Sequence, residues 1–241
     1  TIDLTAGATT TFTSTADNIT FATGTVELAD GSNLVVNSAG GDISLVAIKG
    51  TSIEDVTLNA AAGAVTVGQI GAAAAEINVV AITGATINLG GNINTDDTGA
   101  DLGDVDINGA VALAADVTIN TSAGDGTVNL SSTVDNGQNF DIASGAGAVV
   151  ITGGIGLTTA LTTLDINNAA GAATILLSAD IGDTTVGVTG ATRIGNANTA
   201  TLTLGGDNFR TTGAQTYVAA AGNTFDLTAT SATSFITTNS D

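Results

Sequence analysis

The stretch that decides the fold is residues 140–188, FDIASGAGAVVITGGIGLTTALTTLDINNAAGAATILLSADIGDTTVGV. In this stretch, short strands of the form apolar-x-apolar alternate with turns of Gly, Ala, Ser, Asn and Asp. The pairs have the two-residue period of a β-strand, in which alternate side chains point to opposite faces. No segment of helical period interrupts them, so the sequence predicts an all-β fold. The apolar pairs are Phe140/Ile142, Val149/Ile151, Leu164/Ile166, Ile175/Leu177 and Val186/Val188, with Ile155 and Ile181 between them.

The strands of residues 105–188 fall into three columns, which predict a coil with three strands in each turn. Successive members of the first column are 21 to 26 residues apart, and the connection from the first column to the second is short each time. Such a connection suits a tight corner. The first column is Val105, Val128, Val149 and Ile175, the second is Val111, Val134, Ile155 and Ile181, and the third is Val117, Phe140, Leu164 and Val186.

These connections favour a parallel solenoid over an antiparallel sandwich. Hairpins are commonly closed by two-residue turns such as Asn-Gly, and that pair occurs only at Asn108–Gly109 and Asn136–Gly137. Aromatic residues make up 3% of the chain, so small side chains must fill a narrow interior. We therefore predict a parallel β-helix with three strands per rung, and parallel crossover connections favour its right-handed form.

An internal repeat of about 85 residues runs through the chain. GTVELADGSNLVVN at 24–37 matches GAVALAADVTIN at 109–120, and DVTLNAAAGAVTVGQIG at 55–71 matches NFDIASGAGAVVITGGIG at 139–156. The sequence thus predicts a single elongated domain over 1–241, with about four rungs in each copy. Its parts are one copy at about 24–108, a second at 109–185, a distorted segment at 186–216 and a truncated third copy from about Tyr217.

The chain is strongly acidic, with a net charge of −20 that 23 acidic residues and three basic ones produce. Nearly all the acids are Asp, whose short side chain bonds the local backbone, so we expect most of this charge to serve turns. An acidic surface repels phosphate backbones and anionic lipid, which argues against nucleic-acid partners. No membrane-spanning apolar run is visible in the sequence, so we also expect no membrane insertion. The chain has no Cys, His, Met or Trp, which excludes disulfides and the common zinc, haem and iron–sulfur sites. Because the sequence lacks an initiating Met, we expect a mature product or a fragment.

The densest cluster of oxygen ligands consists of Asp96, Asp97, Asp101, Asp104 and Asp106. Calcium prefers several carboxylate and carbonyl oxygens from a flexible loop, which this segment would supply. The spacing matches neither the EF-hand pattern nor the calcium repeat of β-rolls. A solvated acidic loop is therefore the favoured interpretation and weak calcium binding the alternative. We expect no other cofactor.

Asp141 and Asp165 are the middle residues of third-column strands in neighbouring rungs. We expect both to face outward, about 5 Å apart, a separation that retaining glycosidases use for their carboxyl pair. The two groups could also bridge a cation, or repel each other and raise the pKa of one. An enzyme that acts on sugar acids would also need Arg, Lys or His near the reacting centre, and a general acid or base needs suitably placed partner groups. The chain has three basic residues, of which Lys49 is many rungs away. We therefore predict that the chain is not an enzyme.

Three segments carry a family resemblance: VDNGQNFDIASGAGAVVITGGIGLTTALTTLDIN at 134–167, its copy at 55–79, and TTGAQTYVAA at 211–220. They resemble the repetitive passenger regions of large secreted bacterial adhesins, the filamentous-haemagglutinin-like and autotransporter-like β-helix proteins. The resemblance implies a secreted or surface-displayed protein that serves attachment, aggregation or matrix building. It brings no catalytic residues with it.

The function we expect is that of an extracellular or cell-surface structural protein, a segment of an adhesin, biofilm matrix or filament. Solenoids normally cover their end rungs with a cap, and we expect neither Thr1–Thr15 nor Ser231–Asp241 to supply one. The expected partner is therefore another copy in head-to-tail assembly or further repeats of a longer chain, with cell-surface glycans as a further partner class. The alternative function is a carbohydrate-binding or carbohydrate-cleaving β-helix.

Overall fold

The computed structural model describes residues 1–51, 53–96, 103–167 and 171–238. Over these residues the chain is all-β, without a helix, and it coils into a parallel β-solenoid of about 9 turns. The predicted fold class is confirmed. The strands are β1 (Ile2–Leu4), β2 (Thr10–Ser14), β3 (Ile19–Leu28), β4 (Leu34–Ser38), β5 (Ile43–Lys49), β6 (Val56–Asn59), β7 (Ala64–Ile70), β8 (Val80–Leu89), β9 (Ile93–Asn94), β10 (Val105–Leu113), β11 (Val117–Asn120), β12 (Val128–Leu130), β13 (Val134–Asp135), β14 (Asn139–Ala143), β15 (Val149–Ile151), β16 (Thr163–Ile166), β17 (Thr174–Leu177), β18 (Thr192–Ile194), β19 (Thr201–Leu204), β20 (Asn208–Thr211), β21 (Gln215–Tyr217), β22 (Thr224–Leu227) and β23 (Ser234–Thr237).

Each of the three columns is a stack of parallel strands. The first column contains β2, β4, β6, the starts of β8 and β10, then β12, β15, β17, β19 and β22. The second contains the starts of β3, β5 and β7, the ends of β8 and β10, β13, single bridges at Ile155 and Ile181, β20 and β23. The third contains β1, the ends of β3, β5 and β7, then β9, β11, β14, β16, β18 and β21.

The interior is a narrow stack of aliphatic side chains. Ile142, Ile166 and Ile194 follow one another in the third column and are at most 1% exposed. Such stacking removes apolar surface from water at every rung, which stabilises the coil. Large rings concentrate at the ends of the rod. Within the outermost two rungs at either end lie all the aromatic residues except Phe140, namely Phe12, Phe21, Phe209, Tyr217, Phe225 and Phe235.

The third column departs from the prediction after Leu164. We predicted Val186 as the next member, but the structure pairs Leu164 with Thr192 at the start of β18. Val188 forms an isolated bridge with Leu161 instead. The prediction was wrong because an inward Thr interrupts the apolar-x-apolar pattern. The step at this rung is also 28 residues, longer than the earlier ones.

The inward position of Thr192 has a measurable cost. Its side chain is 0% exposed, and within the described residues its hydroxyl has no hydrogen-bond partner. Leaving a buried polar group unsatisfied costs roughly 1–3 kcal/mol. Thr192→Val, which keeps the shape and removes the hydroxyl, should therefore raise the free energy of unfolding by about 1 kcal/mol in urea titrations.

Thr211→Val is the matched control for this prediction. Thr211 is equally buried, but its hydroxyl donates a hydrogen bond to the Gly213 carbonyl at 2.6 Å. Removing that hydroxyl should lower the free energy of unfolding by about 1 kcal/mol. If both variants lost stability by the same amount, the unsatisfied state of the Thr192 hydroxyl would be disproved.

The two copies of the repeat occupy different columns. Val105 lies in the first column, three turns after Leu34 along the chain. The sequence counterpart of Leu34 is Val117, which lies two columns further along, in the third column. The strands that run continuously round a corner shift in the same way. β3, β5 and β7 join the second column to the third, whereas β8 and β10 join the first to the second. The repeat therefore spans three complete turns and two thirds of a fourth.

Asp and Asn side chains in the connections bind the backbone of the following rung. We predicted local turn bonds, and some occur, such as the bond from the Ala61 amide to Asn59 Oδ1. More often the side-chain oxygen accepts from an amide 21 to 28 residues later. These bonds anchor each connection to the rung that follows it. The acceptor–donor pairs are Asn18–Asp42, Asn33–Asp55, Asp42–Ala64, Asn92–Thr118, Asp104–Thr127, Asp116–Asn139, Asp125–Ala146, Asp135–Thr158 and Asp180–Asp207.

Candidate functional site: an outward groove on the third column

A row of charged side chains runs along the outward side of the third column. Asp141 of β14 is in register with Asp165 of β16, and Asp165 is in register with Arg193 of β18. Each is the middle residue of its strand, so strand alternation points it away from the buried core. The predicted outward pair Asp141/Asp165 is thus found in adjacent rungs, and Arg193 extends it to a row of three.

These side chains lie in a groove of about 460 Å³. One wall is formed at the start of the third-column strands, by Asp116 just before β11, Asn139 at the start of β14 and Thr163 at the start of β16. The wall is tied together by its own hydrogen bonds. Asp116 accepts from the backbone and side-chain amides of Asn139 at 2.9 and 2.8 Å, and the Thr163 hydroxyl donates to Asn139 Oδ1 at 2.8 Å. The strands and their connections therefore build this wall of the groove, and its own hydrogen bonds link the residues that form it.

The electrostatics of the groove follow from burial and from the order of the charges. Although Asp141 is exposed as a whole residue, partial desolvation of its carboxyl in the groove raises its pKa, and the neighbouring charge of Asp165 raises it further. Arg193 Nη1 donates to Asp165 Oδ2 at 3.5 Å, and the Arg193 side chain is 54% exposed. A long and exposed ion pair of this kind contributes little to stability. The row offers a ligand carboxylates at one end and a guanidinium at the other.

The groove offers a polar ligand many hydrogen-bonding groups. Hydroxyl, amide and carboxylate groups line it, and such groups form hydrogen bonds with a hydroxylated ligand. Phe140 is the aromatic residue among the described lining residues, and it is 1% exposed. It therefore presents no ring face on which a sugar could stack.

Replacing Asp141 with Asn should change how stability depends on pH. Because the folded-state pKa of Asp141 lies above 3.8, the folded chain binds more protons than the unfolded chain between 3.8 and that pKa. The contribution of this carboxyl to the free energy of unfolding therefore falls as pH rises through that window. At neutral pH, Asp141→Asn should slightly raise the unfolding midpoint, and the gain should vanish below the window.

Urea titrations from about pH 3 to pH 7 test this expectation. Asp30→Asn is the matched control, since Asp30 is also exposed but lies in a turn outside the groove. A parent-like pH profile for Asp141→Asn, or an equal change in the control, would contradict the effect of burial on Asp141.

The predicted calcium cluster is only partly placed. Asp97 and Asp101 lie outside the described residues. Asp104 Oδ1 accepts from the Thr127 amide at 2.6 Å, and Asp106 Oδ1 accepts from Asn129 Nδ2 at 3.1 Å. Among the described residues, Asp96 included, no group of three or more acidic, Cys or His side chains is arranged to hold a metal ion. Calcium binding by this segment stays a prediction.

A second surface of interest is the last rung of the coil. Phe225 and Phe235 are 42% and 44% exposed, whereas their partners one rung earlier, Leu202 and Phe209, are 0% exposed. Within the described residues, β22 pairs with β19 and β23 with β20, so each has one unpaired edge. At the opposite end the inward residue Phe12 is half-buried. Apolar core positions thus come to the surface at the end rungs.

Sequence reasoning missed Arg193 because it assigned 186–216 to loops or distorted rungs. The structure places β18, β19 and β20 in this segment, and all three continue the columns. The signal was present in Thr192-Arg193-Ile194, which has strand alternation with a polar residue at one inward position. Lys49 lies on the same column towards the other end, in register with Glu27.

Comparison with family models, curated proteins and solved structures finds no match to this chain. Among the described residues, no helix is long and apolar enough to cross a membrane.

Proposed function

We propose that this chain is a structural module of an extracellular protein, a rod that extends end to end with more material of the same architecture. In this proposal the rod holds other parts of a filament, matrix or adhesin at a distance. At the usual strand spacing of about 4.8 Å, the 9 turns span roughly 40 Å. The extracellular location rests on the resemblance to secreted adhesin repeats.

The observation that carries the proposal is the unbroken stacking of parallel strands along the coil. Pairing in the first column runs from Thr10 to Phe225, and pairing in the second runs from Ile19 to Phe235. Solenoids in which each rung contacts only its neighbours are extended in one dimension, which suits a protein whose shape is its function.

Labelling of intact source cells with an antibody against this chain tests the proposal. We expect labelling without permeabilisation, and we expect electron micrographs of the native material to show fibres of constant width. Labelling that requires permeabilisation, or isolated particles without any fibres, would contradict it. An antibody against a cytoplasmic enzyme is the control for cell integrity.

A second candidate function, carbohydrate binding, is favoured by the groove that contains Asp141, Asp165 and Arg193. Its preformed wall offers carboxylate, amide and hydroxyl groups to a hydroxylated ligand. Glycan-array binding that disappears in Asp141→Asn and persists in Asp30→Asn would support this candidate. Equal binding by both variants would exclude the groove as the glycan site.

A further inference from the structure

We propose that Asn136 is a site of spontaneous deamidation in the folded protein, and that the strand around Asn108 protects the other Asn-Gly pair. Both residues precede a glycine, and both are exposed to water. Glycine has no Cβ, so its backbone nitrogen can approach the preceding side chain closely. Local sequence and exposure are therefore alike at the two pairs, whereas their backbone settings differ.

The reaction uses the chain's own atoms and water. The backbone nitrogen of Gly137 forms a bond to Cγ of Asn136, the bond from Cγ to Nδ2 breaks, and Nδ2 leaves as ammonia with the proton of the Gly137 amide. Water then opens the resulting cyclic imide at one of its carbonyls, which leaves aspartate or isoaspartate at this position. Asparagine counts among the thermolabile residues, and this route needs no oxidant, reductant or cofactor.

The backbone at Asn136 and Gly137 is free to make this approach. The pair lies between β13 and β14, outside the strands, and the Gly137 amide donates no hydrogen bond to any described residue. The φ of Asn136 is +101°, well beyond the left-handed region near about +57°. A backbone in so sparsely populated a region is held there by its surroundings. Space is also available, since the nearest atom to a Cβ added at Gly137 is Thr159 Cγ2 at 3.8 Å.

The hydrogen bonds that hold Asn136 in place are few and accessible to water. Its backbone amide donates to the Thr159 carbonyl at 3.3 Å, and its Nδ2 donates to the Leu113 carbonyl of the preceding rung at 3.0 Å. Water competes with the bonds of an exposed residue, and such bonds open at little cost in free energy. Once the Nδ2 bond has opened, the side chain can turn towards the Gly137 nitrogen.

Asn108 is held in the opposite way, inside a strand ladder. It lies in β10 and is in register with Thr83 of β8, and its Oδ1 accepts from the Ser131 hydroxyl at 2.8 Å. A Cβ added at Gly109 would collide with the Gly84 carbonyl, so this corner is closely packed. Rotating the peptide of this pair out of its extended conformation would disrupt pairing with the preceding rung. Ring closure at Asn108 therefore requires local unfolding.

Deamidation would weaken the contact between two rungs at this connection. The Leu113 carbonyl would lose its donor, and a new carboxylate would lie next to Asp135, whose Oδ1 already accepts from two backbone amides of the following rung. Isoaspartate would also add a carbon to the backbone shortly before Asn139, which belongs to the wall of the groove. We therefore expect the deamidated protein to unfold at a lower urea concentration than the parent.

Two peptides report the rates at the two pairs. An endoproteinase that cleaves before Asp releases residues 106–115 and 135–140, and each peptide contains one Asn-Gly pair. The whole chain is first incubated at mildly alkaline pH, either folded or in concentrated urea, and isoaspartate is then located by fragmentation mass spectrometry. In urea the two pairs should react at similar rates. In the folded protein we expect the ladder to slow Asn108 at least about tenfold, while Asn136 keeps most of its rate.

Asn136→Gln checks the assignment, because Gln would have to close a larger ring. It should abolish the more acidic form that anion exchange separates from the incubated folded parent, whereas Asn108→Gln should leave that form unchanged. Equal slowing of the two pairs by folding would overturn the proposal, as would faster reaction at Asn108 than at Asn136 in the folded protein. If the isolated deamidated form unfolded at the same urea concentration as the parent, the expected weakening between the rungs would be wrong.

Discussion

Ile166→Asp should abolish cooperative folding of the rungs around it. Ile166 is 0% exposed and lies between Ile142 and Ile194 in the third column. A carboxylate at this position would be buried among aliphatic side chains without a partner, at a cost of several kcal/mol. Because whole domains are stable by only about 5–15 kcal/mol, we expect partial or complete loss of the β-sheet circular dichroism signal.

Two substitutions control for this result. Ile166→Val removes one methylene and should cost about 1 kcal/mol. Asp30→Asn, on the surface, should leave the urea midpoint nearly unchanged. Should Ile166→Asp unfold at the same urea concentration as the parent, the inward assignment of the third column would be wrong.

Gly109→Ala should produce the second large effect. Gly109 lies in β10 at the corner between the first and second columns, with a φ of +151°. A Cβ added there would collide with the Gly84 carbonyl of the rung before it. Strained backbone and the displacement of a neighbouring rung together should lower the free energy of unfolding by roughly 3 kcal/mol.

Gly137→Ala is the matched control for the corner. Gly137 also has positive φ, +73°, but the nearest atom to an added Cβ is Thr159 Cγ2 at 3.8 Å. Only the conformational penalty of about 1–2 kcal/mol applies there. Equal losses at Gly109 and Gly137 in urea titrations would show that contact with Gly84 contributes nothing.

The Asn-Gly pairs and the three columns show how much of the fold the sequence predicts. Asn-Gly is a common hairpin turn, but two such pairs in 241 residues are too few to predict an antiparallel fold, and the structure places Asn108–Gly109 at a corner of a parallel coil. The first two columns were predicted correctly because every rung there kept an inward apolar residue. The third column was predicted correctly only as far as Leu164, because the next inward residue is Thr192 and its polar side chain hides the strand.

Two other features could not be predicted from one sequence. The Asp bonds to the next rung depend on which residues lie one turn apart, and that spacing varies from 21 to 28 residues. The shift of the repeat between columns was also hidden, because any column of a parallel coil accepts any apolar-x-apolar strand. Sequence similarity therefore showed that the unit repeats, but it did not show that equivalent strands of the two copies lie in different columns.

Because the second copy of the repeat is shifted by two columns relative to the first, the number of repeat copies would determine the side of the rod on which a surface feature lies, as well as the length of the rod. Each unit of about 85 residues spans three turns and two thirds of another, so inserting one unit by recombination would rotate everything beyond it by a third of a circle. A groove or epitope beyond the insertion would then point away from its former side of the rod. Three inserted units would restore the original orientation, since three steps of two thirds make two whole revolutions.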